Sequence, residues 1–231
     1  MECPDNRSQQ IYIDKSLCEV NNMNNILRSQ RHDFLNHMQV IYSLIKMSKF
    51  DETRRYIERL YGEISETNAA IHTGVIELDA LFLAKLAVAK QDNITLTYDV
   101  SSSLSALNIP AFELVKIAGN LLDNAIFAAQ KSTGAKLTHV HIYEDSRYYI
   151  LSITNTGPEI KPEIQDKIFQ PGFSTKSDTG EGLGLFIAKT LLEKYKAQIH
   201  FKSSTVDGTN FMVFFPKAFS KGSYNCATEV P

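Results

Sequence analysis

The chain has 231 residues, 43% of them hydrophobic, and a formal net charge of -2 from 24 Lys+Arg against 26 Asp+Glu. That is apolar material for one or two domains, with two the expectation, and the lack of a basic footprint excludes nucleic acid as a partner. Cys3, Cys18 and Cys226 are odd in number, far apart and without a CxxC pair, which argues against a disulfide framework or a zinc site and for a reducing cytosol. The most apolar long stretch, Leu78 to Ala89, is broken by Asp79 and Lys85 and falls short of the roughly 20 apolar residues of a bilayer helix. The start, Met1-Glu2-Cys3-Pro4-Asp5, has no signal pattern. The expectation is a cytoplasmic chain with no membrane segment.

Leu27, Phe34, Met38, Ile41 and Ile45 draw one apolar stripe along a helix. A second amphipathic run, Ile57, Leu60, Tyr61 and Ile64, follows the polar break at residues 48–51, which predicts an antiparallel hairpin. Two helices make a poor core, and pairing two hairpins in a four-helix bundle buries both stripes, so a homodimer is expected. Beyond about residue 72 helices and strands alternate. Residues 77–91 read as a helix, 94–100 as a strand, 111–130 as a long helix behind Pro110, and 137–143 with 148–155 as a β-hairpin. A helix over 183–195 and strands over 198–203 and 210–215, joined at Asp207-Gly208, complete an α/β sandwich with helices on one side. The tail from Lys217 shows no periodicity.

At about 100° per residue, His32 lies about 150° from the centre of the apolar stripe, on the solvent face. Asn36 sits one turn further along that face, whereas His37 falls on the flank of the stripe as a packing residue. An exposed imidazole on a rigid helix is what a phosphoryl acceptor needs if it must meet a donor domain and then a receiver. Asp33 is placed to hydrogen-bond one ring nitrogen, fixing the tautomer and leaving the other nitrogen as nucleophile. Taken alone, Arg31-His32-Asp33 reads as a solvated polar face.

Four further segments carry nucleotide chemistry. Asn120 and Asn124 share one face of the long helix, and the amide oxygen of Asn124 suits Mg²⁺, which prefers oxygen ligands. Asn155-Thr156-Gly157-Pro158 ends a strand, with Gly157 permitting close backbone approach and Asn155 offering an acceptor to an adenine amino group. The run from Ile168 to Lys176 leads into Gly180-Glu181-Gly182-Leu183-Gly184-Leu185, where backbone amides opening a helix form a phosphate site and Lys176 adds charge. This loop does not follow a strand, which argues against a Rossmann unit.

In this order the segments resemble the N box, first glycine box, F box and second glycine box of the GHKL superfamily of ATPases and histidine kinases. Arg31-His32-Asp33-Phe34-Leu35-Asn36-His37 resembles the phosphorylation box of sporulation phosphotransferase-type sensor kinases, a family that includes citrate and dicarboxylate sensors. The resemblance implies that His32 is the phosphoacceptor, Asp33 the assisting acid and Asn36 a position linked to phosphatase activity. It implies ATP and Mg²⁺ as cofactors, with Asn120, Asn124, Asn155, Gly157, Lys176, Gly180, Gly182, Leu183 and Gly184 binding them, Asn124 at the metal. Two positions depart from the pattern: Asn155 stands where the family has Asp, and Glu159 where it has a second glycine. Phe127 replaces a basic or polar residue of many histidine kinases.

The expected class is α+β, a two-helix hairpin forming a dimeric four-helix bundle followed by a GHKL (Bergerat) α/β sandwich. Its expected parts are an N-terminal segment and histidine phosphotransfer hairpin over 1–72, a catalytic domain over 73–216 and a tail over 217–231. The expected function is an ATP-dependent histidine kinase core that autophosphorylates on His32 and passes the phosphoryl group to an aspartate of a response regulator receiver domain. The alternative is a phosphorelay phosphotransferase whose C-terminal domain does not bind ATP.

Overall fold

A computed structural model describes residues 28–29, 31–61, 71–175 and 182–217. The chain divides into two compact units, Met1–Ile64 and Ser65–Pro231. In the first, helix α1 runs over residues 31–46 and α2 over Phe50–Tyr61. Helix α1 ends because Ser48 takes a left-handed φ of 56°, and the amides of Ser48 and Lys49 turn back onto the carbonyls of Ile45 and Leu44 at 2.9 Å each. The hydroxyl and amide of Thr53 both donate to the Lys49 carbonyl, at 2.8 and 2.9 Å, starting α2.

The hairpin divides the sequence stripe in two. His37, Met38, Ile41 and Leu44 are half-buried, as are Tyr56, Ile57 and Leu60 of α2, whereas Phe34 and Ile45 stay 51% and 47% exposed. Leu35 and Tyr42 are exposed with them. The seam centre is rotated by about 40° toward His37, so Phe34, Leu35, Tyr42 and Ile45 form a second, open apolar face. His37 is a packing residue, with Nδ1 2.9 Å from the Tyr56 hydroxyl.

The second unit is a five-stranded sheet with helices on one face. Its elements are α3 Ile76–Gln91, β1 Thr95–Val100, α4 Ala111–Gln130, β2 Leu137–Glu144, β3 Tyr148–Asn155, α5 Pro162–Gln165, α6 Gly184–Lys194, β4 Gln198–Ser204 and β5 Gly208–Pro216. The strand order is β1-β2-β3-β5-β4; β1 is parallel to β2 and the other pairs are antiparallel. A parallel pair needs a crossover, and α4 supplies it. Val140, Ile142, Leu151, Ile153, Phe211, Val213 and Phe215 point inward from the three central strands and are nearly fully buried. Leu114, Ile117, Leu121, Leu122 and Ala125, on one side of α4, cover them at no more than 1% exposure. Deleting one such side chain to alanine typically costs about 2–5 kcal/mol.

Two local devices fix the ends. Asp145 Oδ1 accepts from the amides of Arg147 and Tyr148 at 2.7 Å each, closing the β2–β3 hairpin and holding its carboxyl below the usual range. Glu113 in the first turn of α4 is buried, yet Lys194 at the end of α6 donates to it at 2.7 Å, so its carboxyl too is lowered, by that hydrogen bond before any other cause. The four-residue α5, with Pro162 at its first position, carries no periodicity and lies outside the sequence expectation.

Candidate functional site

The functional cleft grows from one face of α4. Asn120, Asn124, Phe127, Ala128 and Lys131 follow one another at helical spacing and all line a cavity of about 790 Å³. That volume is in the range of a small-molecule site. Asn120 spends its amide nitrogen on the Lys116 carbonyl at 2.8 Å and turns its oxygen toward Gly184, where an added Cβ would lie 3.0 Å away. Asn124 has no hydrogen-bond partner among the described residues, so its amide is free for a ligand. Lys85 of α3 pairs with Asp123 at the cleft edge, and Lys131 Nζ stands 4.2 Å over the Phe127 ring.

The floor is the end of β3. Asn155 is 3% exposed, and its backbone registers with Thr138 of β2 and Thr209 of β5. Two glycines make room around it. A Cβ at Gly157 would stand 2.6 Å from the Ala128 carbonyl oxygen, and one at Gly208 2.0 Å from that of Asn155. Gly208 also has a φ of +72°, which L side chains avoid. Asn155 Nδ2 is buried with no hydrogen-bond partner. An unsatisfied buried donor typically costs about 1–3 kcal/mol.

Apolar walls come from Ile160, Ile164, Ile168, Phe173 and Phe211. The opposite rim is the start of α6, where Gly182, Leu183 and Gly184 bring their backbone to the cleft. Gly182 at φ +65° has its carbonyl on the Gly172 amide at 3.1 Å; a Cβ there would stand 2.4 Å from the Gly172 carbonyl carbon. The first amides of α6 are unpaired within the helix and carry its positive dipole end, so this rim suits phosphate. Asn120, Asn124, Asn155, Gly182, Leu183 and Gly184 thus meet around one cleft, whereas Gly157 packs behind it on the Ala128 carbonyl; Lys176 and Gly180 lie outside the described residues.

The sequence reading missed Lys131, Lys161 and Thr209, which also line the cavity. Lys131 was readable as the next step along the Asn120–Asn124 face. Thr209, 3% exposed, reaches Asn155 only through strand pairing, and its hydroxyl is 2.7 Å from Ser203 Oγ, which accepts the Ile160 amide at 2.9 Å.

On α1 the His32 side chain is 75% exposed. Its Nδ1 is 3.2 Å from Asn36 Nδ2 and 3.8 Å from Asp33 Oδ1, so Asn36, and not Asp33, is the hydrogen-bond partner in this conformation. Nε2 faces solvent. The expected Asp33 bond needs a side-chain rotation to form.

A sheet covered on one face, α4 with its two cleft-lining asparagines and a glycine rim opening α6 thus enclose one cleft of small-molecule size. Residues 111–218 match the family described as histidine kinase-, DNA gyrase B-, and HSP90-like ATPase. Residues 14–73 match the family described as sensor kinase SpoOB-type, alpha-helical domain. It is 29% identical over 196 residues to a probable C4-dicarboxylate sensor kinase of Halalkalibacterium halodurans, covering 83% of this chain and 37% of that protein. It is 28% identical over 212 residues to the sensor protein CitS of Bacillus subtilis, covering 90% and 39%. The chain therefore spans about two-fifths of the length of these curated relatives. Among solved structures, full-length ShkA in complex with AMPPNP aligns with a TM-score of 0.53 at 21% identity, over 68% of this chain and 34% of that one, a likeness of fold. No helix among the described residues is long and apolar enough to cross a membrane.

Proposed function

We propose that the chain is the core of an ATP-dependent protein histidine kinase, in which the Asn155 cleft binds ATP and His32 receives the γ-phosphoryl group. The observation that carries this reading is the pairing of a cleft of nucleotide size, with a buried unpartnered floor amide, with an exposed imidazole whose outer nitrogen is open.

The base would sit on Asn155 and the phosphates at the amides of Gly182, Leu183 and Gly184. The uncommitted amide oxygen of Asn124 fits Mg²⁺, which when bound neutralises phosphate charge. Phosphoryl transfer then depends chiefly on positioning. With Nδ1 carrying the proton, the lone pair of His32 Nε2 attacks the γ-phosphorus, the bond to the β–γ bridging oxygen breaks and ADP leaves. Asp33, or the amide oxygen of Asn36, takes the hydrogen bond from Nδ1–H as positive charge develops on the ring. The phosphoryl group passes on to an aspartate carboxylate of a receiver domain, which an exposed imidazole can reach.

The domain division proposed is a histidine-bearing unit over 1–72, a catalytic unit over 73–216 and a tail over 217–231. The open apolar face of Phe34, Leu35, Tyr42 and Ile45 supports a homodimeric four-helix bundle, which leaves His32 on its outside. A reducing cytoplasm is the compartment in which ATP and a receiver are both available.

Incubation with γ-labelled ATP and Mg²⁺ tests the reading. Acid-labile label on the chain, abolished in His32→Gln, is expected. No label from ATP, but uptake from a phosphorylated receiver, would make the chain a phosphorelay carrier instead.

A further inference from the structure

The family carboxylate at the cleft floor is an acceptor with two oxygens, suited to the amino group of a 6-aminopurine and repelled by the carbonyl of a 6-oxopurine. This chain has an amide there. Asn155 is held on its strand between β2 and β5 and almost fully buried, and its Nδ2 donor has no acceptor among the described residues. The carboxamide can turn about its last torsion to present either oxygen or nitrogen to the base. Oxygen forward, it accepts from an adenine N6 amine; nitrogen forward, it donates to a guanine O6.

The neighbouring polar group has the same latitude. Thr209 also lines the cleft, and its hydroxyl pairs with Ser203 Oγ, a hydroxyl too, so either of the two can donate. Thr209 can therefore meet the lone pair at N1 of adenine or the N1–H of guanine. Glu159 lines the same cavity, and its carboxylate is an acceptor of the kind that suits the N1–H and 2-amino donors that guanine has and adenine lacks. None of the polar side chains at the Asn155 end is committed to adenine.

We propose that Asn155 sets the base specificity of this cleft, making it accept 6-oxopurine nucleoside triphosphates alongside ATP. The inference rests on the cleft being the nucleotide site. Discrimination of a buried hydrogen-bonding site is strong only when the wrong ligand leaves the group facing it unpaired, and an amide that turns offers a partner to either 6-substituent.

The test is displacement of a fluorescent ATP analogue from the purified chain by ATP, GTP and ITP, each with Mg²⁺. The expected result is a GTP dissociation constant within tenfold of that for ATP, and a shift of at least tenfold in favour of ATP in Asn155→Asp. ITP, which lacks the 2-amino group, isolates the O6 contact and is expected to compete within the same tenfold. A wild-type preference for ATP above tenfold over both GTP and ITP overturns the inference while leaving the kinase reading intact. So does a preference that Asn155→Asp leaves unmoved, provided the variant melts as the wild type does. Displacement by none of the three overturns both.

Discussion

Asn36 Nδ2 lies 3.2 Å from His32 Nδ1, one helical turn away on the exposed side of α1, closer than the Asp33 carboxylate at 3.8 Å. An amide in this place can hold the imidazole in either tautomer. Nitrogen forward, it donates to Nδ1 and leaves the proton on Nε2; turned over, it accepts from Nδ1–H and frees the Nε2 lone pair. Asp33 can only accept. The expected outcome is that Asp33→Ala lowers the initial rate of acid-labile label uptake by about a hundredfold, in the range of a lost general base. Asn36→Ala lowers it by less than about tenfold, since Asp33 still selects the productive tautomer. Equal losses in the two variants would contradict this division of roles.

Gly157 packs so close to α4 that a methyl group would press on the Ala128 carbonyl at 2.6 Å. In Gly157→Ala the floor of the cleft must therefore move away from the helix that carries Asn124. Overpacking of this kind costs about 1–3 kcal/mol. If half or more of it falls on the bound state, nucleotide affinity drops by roughly tenfold. Titration with a fluorescent ATP analogue measures it, and Gly134→Ala is the control, because nothing lies within 4 Å of a Cβ there. Equal affinity in the two variants would rule out the crowding at Gly157.

The Glu113–Lys194 pair ties the start of α4 to the end of α6 and holds the Glu113 carboxyl below its ordinary value. A carboxyl lowered in the folded state contributes stability above its unfolded pKa of about 4.3, and loses it as the pH falls through the folded value. Glu113→Gln is expected to melt below the wild type at pH 7, with the difference shrinking as the pH drops below about 4. Thermal melts between pH 7 and 3 read this directly. A gap that persists unchanged at pH 3 would assign the effect to packing.

Ile45 and Phe34 belong to the apolar face that α2 leaves uncovered. Replacing Ile45 by Glu puts a charge where a partner hairpin would pack. The expected result in sedimentation is a dimer for the wild type and a monomer for Ile45→Glu. A wild-type monomer at tens of micromolar would remove the bundle.

Most of the second unit was legible because its elements declare themselves by periodicity: residues 111–130 form the expected helix to the residue, and the hairpin expected over 137–143 and 148–155 runs over 137–144 and 148–155. The cleft-facing asparagines followed from the same helical spacing. What escaped was set by tertiary pairing. Thr209 meets Asn155 through the register of β5 on β3, for which no local pattern exists. The split of the α1 stripe depends on which flank α2 occupies, and one apolar stripe is consistent with several rotations. The short α5 is a single turn, below the length at which periodicity can be read.

The sheet order has a consequence for synthesis. Strand β5 is the last of the five strands of this sheet to leave the ribosome, yet it lies between β3 and β4 and supplies Thr209 beside Asn155. Until residue 216 has emerged, β3 and β4 have no shared neighbour, and each presents an open edge. The cleft therefore has no vectorial precursor: a nascent chain carries the His32 helix early and the strand that brings Thr209 to Asn155 only after the other four.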